Sequence, residues 1–394
     1  MPRLTSAILA SLLLVPLVTV EASATGSAAV AARRIDHLAW DAPAELRAGT
    51  SQGLRVTGGR LTLDDADTGR WTSPWAAPGF ALTQLIASWS ARTPGHSSVR
   101  VEVRGRHGST TSSWDTLAVW AAGDRYLHRT TSSGQADDLG SVNVDTWQVP
   151  GGVTSYQLRV TLVRAAGQAA SPSVDAVGAV ASRLPDVDDV ATSRPGVARG
   201  VVLDVPRYSQ MIHSGELPQY GGGGEAWCSP TSTSMVLGYY DALPRPAAYA
   251  WVGTGHTDPW VDHAARMTYD YEYDGTGNWP FNTAYAAALA GHAFVTRLRS
   301  LREAEPYVKA GIPLVASIAF GPGELTGAPI SSSNGHLVVI AGFTRSGDVV
   351  VNDPAAPNDR TVRRTYDRGQ FEDAWVPASG GTVYVIHDDA HPLP

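Results

Sequence analysis

The sequence predicts two domains of different class, an all-β sandwich followed by an α+β domain. Three observations predict it. Val99, Val101 and Val103 alternate with Arg100, Glu102 and Arg104, a period of two that gives a strand one apolar and one polar face. Residues 184–200 then break the pattern, with no apolar period and with Pro185 and Pro195. Charge also reverses: residues 33–183 hold 15 Arg against 13 Asp plus Glu, whereas 201–394 hold 12 basic against 20 acidic residues.

In chain order, the first element is an export signal over residues 1–24. Arg3 is followed by an uncharged run over 7–20, and Ala22-Ser23-Ala24 offers a small-x-small cleavage site. A run this short, holding Pro16, falls below the roughly 20 apolar residues of a membrane span. A secreted chain without a membrane span is expected. Residues 33–183 read as short strands, with Leu85, Ala87 and Trp89, and Tyr156, Leu158, Val160 and Leu162, repeating the alternation. Strands of this length and spacing suggest a sandwich of jelly-roll type. Trp40, Trp71, Trp75, Trp89, Trp114, Trp120 and Trp147 lie here and serve either to contact glycan or to fill the core. Residues 184–200 read as a linker.

Residues 201–390 form the second domain. A helix is expected from Ser229-Pro230 to about Tyr240, and another over 282–290. Ser300-Leu301-Arg302-Glu303 reads as a capping box opening a third helix. Runs at 314–320, 337–343, 349–351 and 382–386 read as strands, with a hairpin turn at Ser346-Gly347. Helices first and an antiparallel sheet afterwards is an α+β layout.

Composition narrows the chemistry. A net charge of −7 over 394 residues argues against nucleic acid as the partner. One cysteine, Cys228, excludes internal disulfides and thiolate zinc clusters. In a secreted chain a lone thiol is open to oxidation, and Ala or Val would pack as well.

A cysteine nucleophile needs a favoured thiolate, a base that takes and returns a proton, and donors for the oxyanion. Cys228 opens the first predicted helix, where free backbone N–H groups and the positive end of the helix dipole favour a thiolate. Gly221 to Gly224 just before it allow close approach of a ligand. His336 stands where a loop becomes a strand, and Asp353 follows the next strand. A hairpin pairing positions that sum to about 690 sets the two opposite each other, Cβ atoms about 5 Å apart. Gln210, 18 residues before the cysteine, can donate to an oxyanion.

The segments VPRYSQ, WCSPTSTSMVL, GHLVVIAGF and VNDPA resemble the papain-like cysteine peptidase superfamily, and most closely its C-thirty-nine-like peptidases, which include the domains that trim double-glycine leaders from bacteriocins. The resemblance covers roughly residues 201–388. It implies an α+β papain-like cysteine peptidase domain, a helix on an antiparallel sheet, with Cys228 as nucleophile, His336 as base and acid, Asp353 as the orienting carboxylate and Gln210 as oxyanion donor. No ATP-binding cassette or membrane domain accompanies it, which speaks against coupled leader export.

Peptide or protein is the expected substrate, cell-wall peptide included. The alternatives are a cell-wall amidase or transpeptidase using the same residues, or a glycan-binding surface protein without catalysis. Trp227, Trp279 and Asn278 are candidate substrate contacts, and the aromatic, acidic stretch 269–282 is a candidate groove wall favouring basic peptides. His256, Asp258, Asp262 and His263 crowd eight residues, but their spacing matches no metal motif, so no metal is assigned; Asp262 or His263 could border the cleft instead. No P-loop or dinucleotide fingerprint occurs, and no cofactor is expected.

Overall fold

The computed structural model describes residues 32–394; the expected signal peptide, residues 1–24, lies outside them. Residues 34–183 build two antiparallel seven-stranded sheets. One runs Ser141–Asn143, Thr146–Val153, Leu82–Arg92, Ser173–Arg183, Arg60–Leu63 and Leu54–Thr57, with Arg34–Trp40 also on Ser173–Arg183. The other runs Thr130–Thr131, Asp115–Trp120, Ser97–His107, Ser155–Arg164, Thr68–Thr72 and Thr50–Gln52, with Thr110–Thr111 on Ser97–His107. Alternation fixes which face is inside: Val99, Val101, Val103, Tyr156, Leu158, Val160 and Leu162 are all fully buried.

Trp40, Trp71, Trp89, Trp120 and Trp147 fill the sandwich core. Trp75 and Trp114 are half-buried on the outer face, stacked with arginines: Arg106 lies 3.8 Å from the Trp75 ring centre and Arg159 4.2 Å from that of Trp114.

The second half is a six-stranded antiparallel sheet in the order His292–Arg297, Thr382–His387, Leu314–Phe320, Ser333–Phe343, Val349–Asn352 and Arg363–Tyr366. Helices Cys228–Tyr239 and Trp279–Ala290 cover one face; Leu301–Lys309 and Arg368–Ser379 pack with the core of the other. The helix Cys228–Tyr239 is buried over most of its length and has hardly any apolar stripe. Its hydroxyls bond inward instead: Ser229 pairs with the Tyr384 hydroxyl at 2.8 Å, and Ser232 donates to the Leu337 carbonyl at 3.0 Å. Ser300 caps nothing through its side chain; Glu303 turns to the Arg299 backbone N–H at 2.8 Å, so the expected capping box does not form.

The two halves pack on each other, and the segment between them is fixed. One apolar cluster runs without a break from Trp71 and Trp89 through Phe281 to Val339 and Tyr384. In the strand Leu82–Arg92, Ile86, Ser88 and Ser90 are buried along with Leu85, Ala87 and Trp89, because its outer face meets the second half; the Val295 N–H donates to Ser88 Oγ at 2.8 Å. Residues 184–200, expected as a linker, lack helix and strand but are held down: Glu372 accepts from the Ser193 N–H at 2.7 Å, and Glu305 from the Gly196 N–H at 2.8 Å. Coil bonded at this density is a strap rather than a tether.

The seam holds a fully buried arginine. Arg129 donates to the Ala121 carbonyl at 2.9 Å on its own side and to the Arg266 and Tyr269 carbonyls at 2.7 and 3.1 Å across it. Asp270 receives the Thr131 N–H at 3.1 Å, and Arg266 grips Asp124 with two 2.7 Å bonds. Among the described residues no helix is long and apolar enough to cross a membrane.

Candidate active site

Cys228 is the first residue of its helix, after Trp227 in the capping position, which has no side-chain cap. The first-turn N–H groups are therefore left to whatever lies at that end. The turn before it, Gly224–Ala226, packs against the turn Gln210–His213; a side chain at Gly224 would collide with the His213 carbonyl. Close backbone packing is thus what Gly224 serves, while Gly221 does line the cleft.

His336 stands near enough to the Cys228 thiol to feel its charge, and it places Nε2 2.7 Å from Asp353 Oδ1. Asp353 is fully buried; Oδ1 also accepts the Ala355 N–H at 3.0 Å, and Oδ2 the Tyr366 hydroxyl at 2.6 Å. Burial alone would lower the His336 pKa. The charge and hydrogen bond of Asp353, helped by Cys228, outweigh burial and push it up to about 10. Burial would raise Asp353; His336 and the Tyr366 hydroxyl hold it below the usual carboxylate range.

The fourth expected member, Gln210, is buried beside this group. Its backbone N–H donates to the Pro354 carbonyl at 2.9 Å, next to Asp353, and Nε2 donates to the Glu225 carbonyl at 2.7 Å, three residues before Cys228. The structure therefore brings Gln210, Cys228, His336 and Asp353 together from four separate stretches of chain.

Cys228 is half-buried on the wall of a cleft of about 820 Å³. The second half contributes Tyr273, Thr276, Trp279, Ile318 and Asn334, and the sandwich contributes Asn143, Asp145 and Gln148. Trp279 lines the cleft, and its backbone N–H donates to Asp145 Oδ2 at 3.0 Å. Trp227 is not in the cleft: it is fully buried with Val261 and Ala265, its indole N–H on the Tyr220 carbonyl at 2.7 Å. Asn278 is not available either, since Oδ1 caps the following helix through the Phe281 N–H and Nδ2 bonds Asp270. Of the stretch 269–282, residues 273–277 and Trp279 line the cleft. Tyr269 and Tyr271 face the seam, where Tyr271 stacks on His128 at 3.8 Å. Asp262 and His263 do not line the cleft; His263 accepts from the Trp251 indole at 3.2 Å. Tyr366 escaped sequence reading, as no local pattern marks a tyrosine whose partner lies 13 residues away across two strands.

A sandwich joined to an α+β half, with a thiol on the cleft they share and a buried imidazole–carboxylate pair near it, defines a class, the peptidase-like proteins. Residues 202–383 match the Peptidase_C39 like family, and residues 36–182 match the Peptidase C39 N-terminal domain. The chain belongs to the C39-like peptidases. No curated protein matches it. Similar solved structures include one of infectious bursal disease virus Gt strain, at 18% identity over 38% of this chain and a TM-score of 0.19; the chain spans 33% of that one. Another is the low-affinity xylan-binding module CBM86 from Roseburia intestinalis, at 14% identity, 38% of this chain, 95% of that one and a TM-score of 0.19. At such TM-scores neither carries an argument.

Proposed function

We propose that this chain is a secreted cysteine peptidase of papain-like fold. The observation that carries the reading is the series Cys228, His336, Asp353, with the thiol at a helix N-terminus and open to an 820 Å³ cleft. The thiolate of Cys228 attacks a peptide carbonyl carbon. The oxyanion that forms is held by the Cys228 backbone N–H and by the second N–H of the Gln210 amide, the first being spent on Glu225. The C–N bond breaks as imidazolium His336 gives its proton to the leaving amine, which leaves a thioester. His336 then takes a proton from water, the hydroxide adds to the thioester, and Cys228 departs with the acid as second product. Asp353 keeps Nε2–H bonded and turns Nδ1 to the sulfur.

Alkylation tests this reading. An iodoacetamide-type probe near neutral pH should label Cys228 much faster than free cysteine, and Cys228→Ala should abolish both labelling and peptide hydrolysis. Labelling only after denaturation would overturn it.

A further inference from the structure

Away from the cleft, four side chains from three parts of the chain converge. His213 ends the turn Gln210–His213, Glu216 follows it, Asp262 stands in the helix Pro259–Thr268, and His256 lies in the loop before that helix. His213 Nδ1 is 3.0 Å from Glu216 Oε2 and 3.2 Å from Asp262 Oδ2. His256 Nδ1 is 3.1 Å from the same Glu216 oxygen and 3.3 Å from Asp262 Oδ1. His213 and Asp262 are shut off from solvent, whereas Glu216 and His256 keep 27% and 24% exposure and leave the group one open side.

His213 Nδ1 and Glu216 Oε2 are hydrogen-bonded, but that one bond does not account for the rest of the arrangement. Both oxygens of the buried Asp262 lack a hydrogen-bond partner, and so does His256 Nδ1, although they approach nitrogen and oxygen atoms within 3.3 Å. One possible ligand atom from each of His213, Glu216 and Asp262 lies within 4.8 Å of the other two. A buried carboxylate left without a donor is among the least favourable arrangements in a protein, and a cation is what resolves it. Asp258 adds a further buried oxygen without a partner close by.

We propose that His213, Glu216, His256 and Asp262 hold one divalent transition-metal ion of the zinc type. Two imidazoles with two carboxylates form a borderline donor set that suits zinc better than calcium or magnesium. Ligands about 2.0–2.2 Å from a tetrahedral ion stand roughly 3.3–3.6 Å apart, and the observed separations of 3.0 to 3.3 Å fall just inside that edge. The ion fastens the loop of His256 and the helix of Asp262 to the turn that begins with Gln210, three residues before His213. Its role is to hold that turn, and the proposal does not depend on what Cys228 does. From the sequence no metal was assigned to the crowded His256, Asp258, Asp262 and His263; the fold joins His256 and Asp262 to His213 and Glu216, 40 or more residues upstream.

The test uses full-length Cys228→Ala protein, which removes the thiol that would bind zinc by itself. The protein is stripped with EDTA, dialysed against zinc chloride, and examined for metal content and Tm. About one zinc per chain and a higher Tm than in EDTA are expected, both lost in His256→Ala and Asp262→Asn. His256 stands on the open side, so its variant stays informative if Asp262→Asn does not fold. No retained zinc, zinc retained undiminished in both variants, or uptake of calcium but not zinc would each overturn the proposal.

Discussion

His336 and Asp353 share one face of the sheet because the His336 strand holds one extra residue. Phe343 and Gly342 pair with Val349 and Val350, while Ile340 and Val339 pair with Val351 and Asn352, which leaves Ala341 as a bulge. Without it the outer register would carry Asp353 opposite Val339, on the face away from His336. With it, Asp353 falls diagonal to His336, and the 2.7 Å bond forms.

The bulge is tied to Gly342. A Cβ there would sit 2.5 Å from the Val201 carbonyl oxygen and 2.6 Å from Val202 Cα. Gly342→Ala should therefore cost about 1–3 kcal/mol in denaturant unfolding and lower kcat with little change in KM. An unchanged kcat in a destabilised variant would show that the bulge does not set the pair.

The pair also sets a pH window. His336 is raised, so its stabilisation is complete below the ordinary value of 6.5 and is lost as pH rises toward about 10. Asp353 is lowered, so its stabilisation is present above 3.8 and is lost as pH falls below that. Peptide hydrolysis, which needs imidazolium His336 to protonate the leaving amine, should keep its rate against pH until an alkaline limb near 10. In Asp353→Asn that limb should move down toward the ordinary histidine value; a limb that stays put would refute the coupling.

Tyr366→Phe removes the donor from Asp353 Oδ2, a bond of 2.6 Å in a buried place. Stability should fall by about 1–3 kcal/mol. The kcat loss should be smaller than for Asp353→Asn, since the His336 bond remains. Equal losses in the two variants would mean that Tyr366 does more than position the carboxylate.

Arg129→Met leaves the Arg266 and Tyr269 carbonyls without their donor across the seam. A loss of about 2–4 kcal/mol is expected. Because one apolar cluster spans both halves, calorimetry of the wild type should show one transition. Two resolved transitions would contradict a shared core.

The sequence by itself determined the local features: strands with a period of two, the helix that begins at Cys228, the order of the two halves, and the candidate set of Gln210, Cys228, His336 and Asp353. Each of these depends on neighbours in the chain or on the chemistry of a residue type. Tertiary structure alone decided the bulge at Ala341, the Tyr366 hydroxyl on Asp353, and the removal of Trp227 and Asn278 from the cleft. It also decided that residues 184–200 are strapped to the second half and that the sandwich supplies part of the cleft wall. The physical reason is that burial and register are settled between segments far apart in sequence. A tryptophan or an asparagine reads the same whether it meets a ligand or another helix, and one inserted residue changes the face of every side chain beyond it.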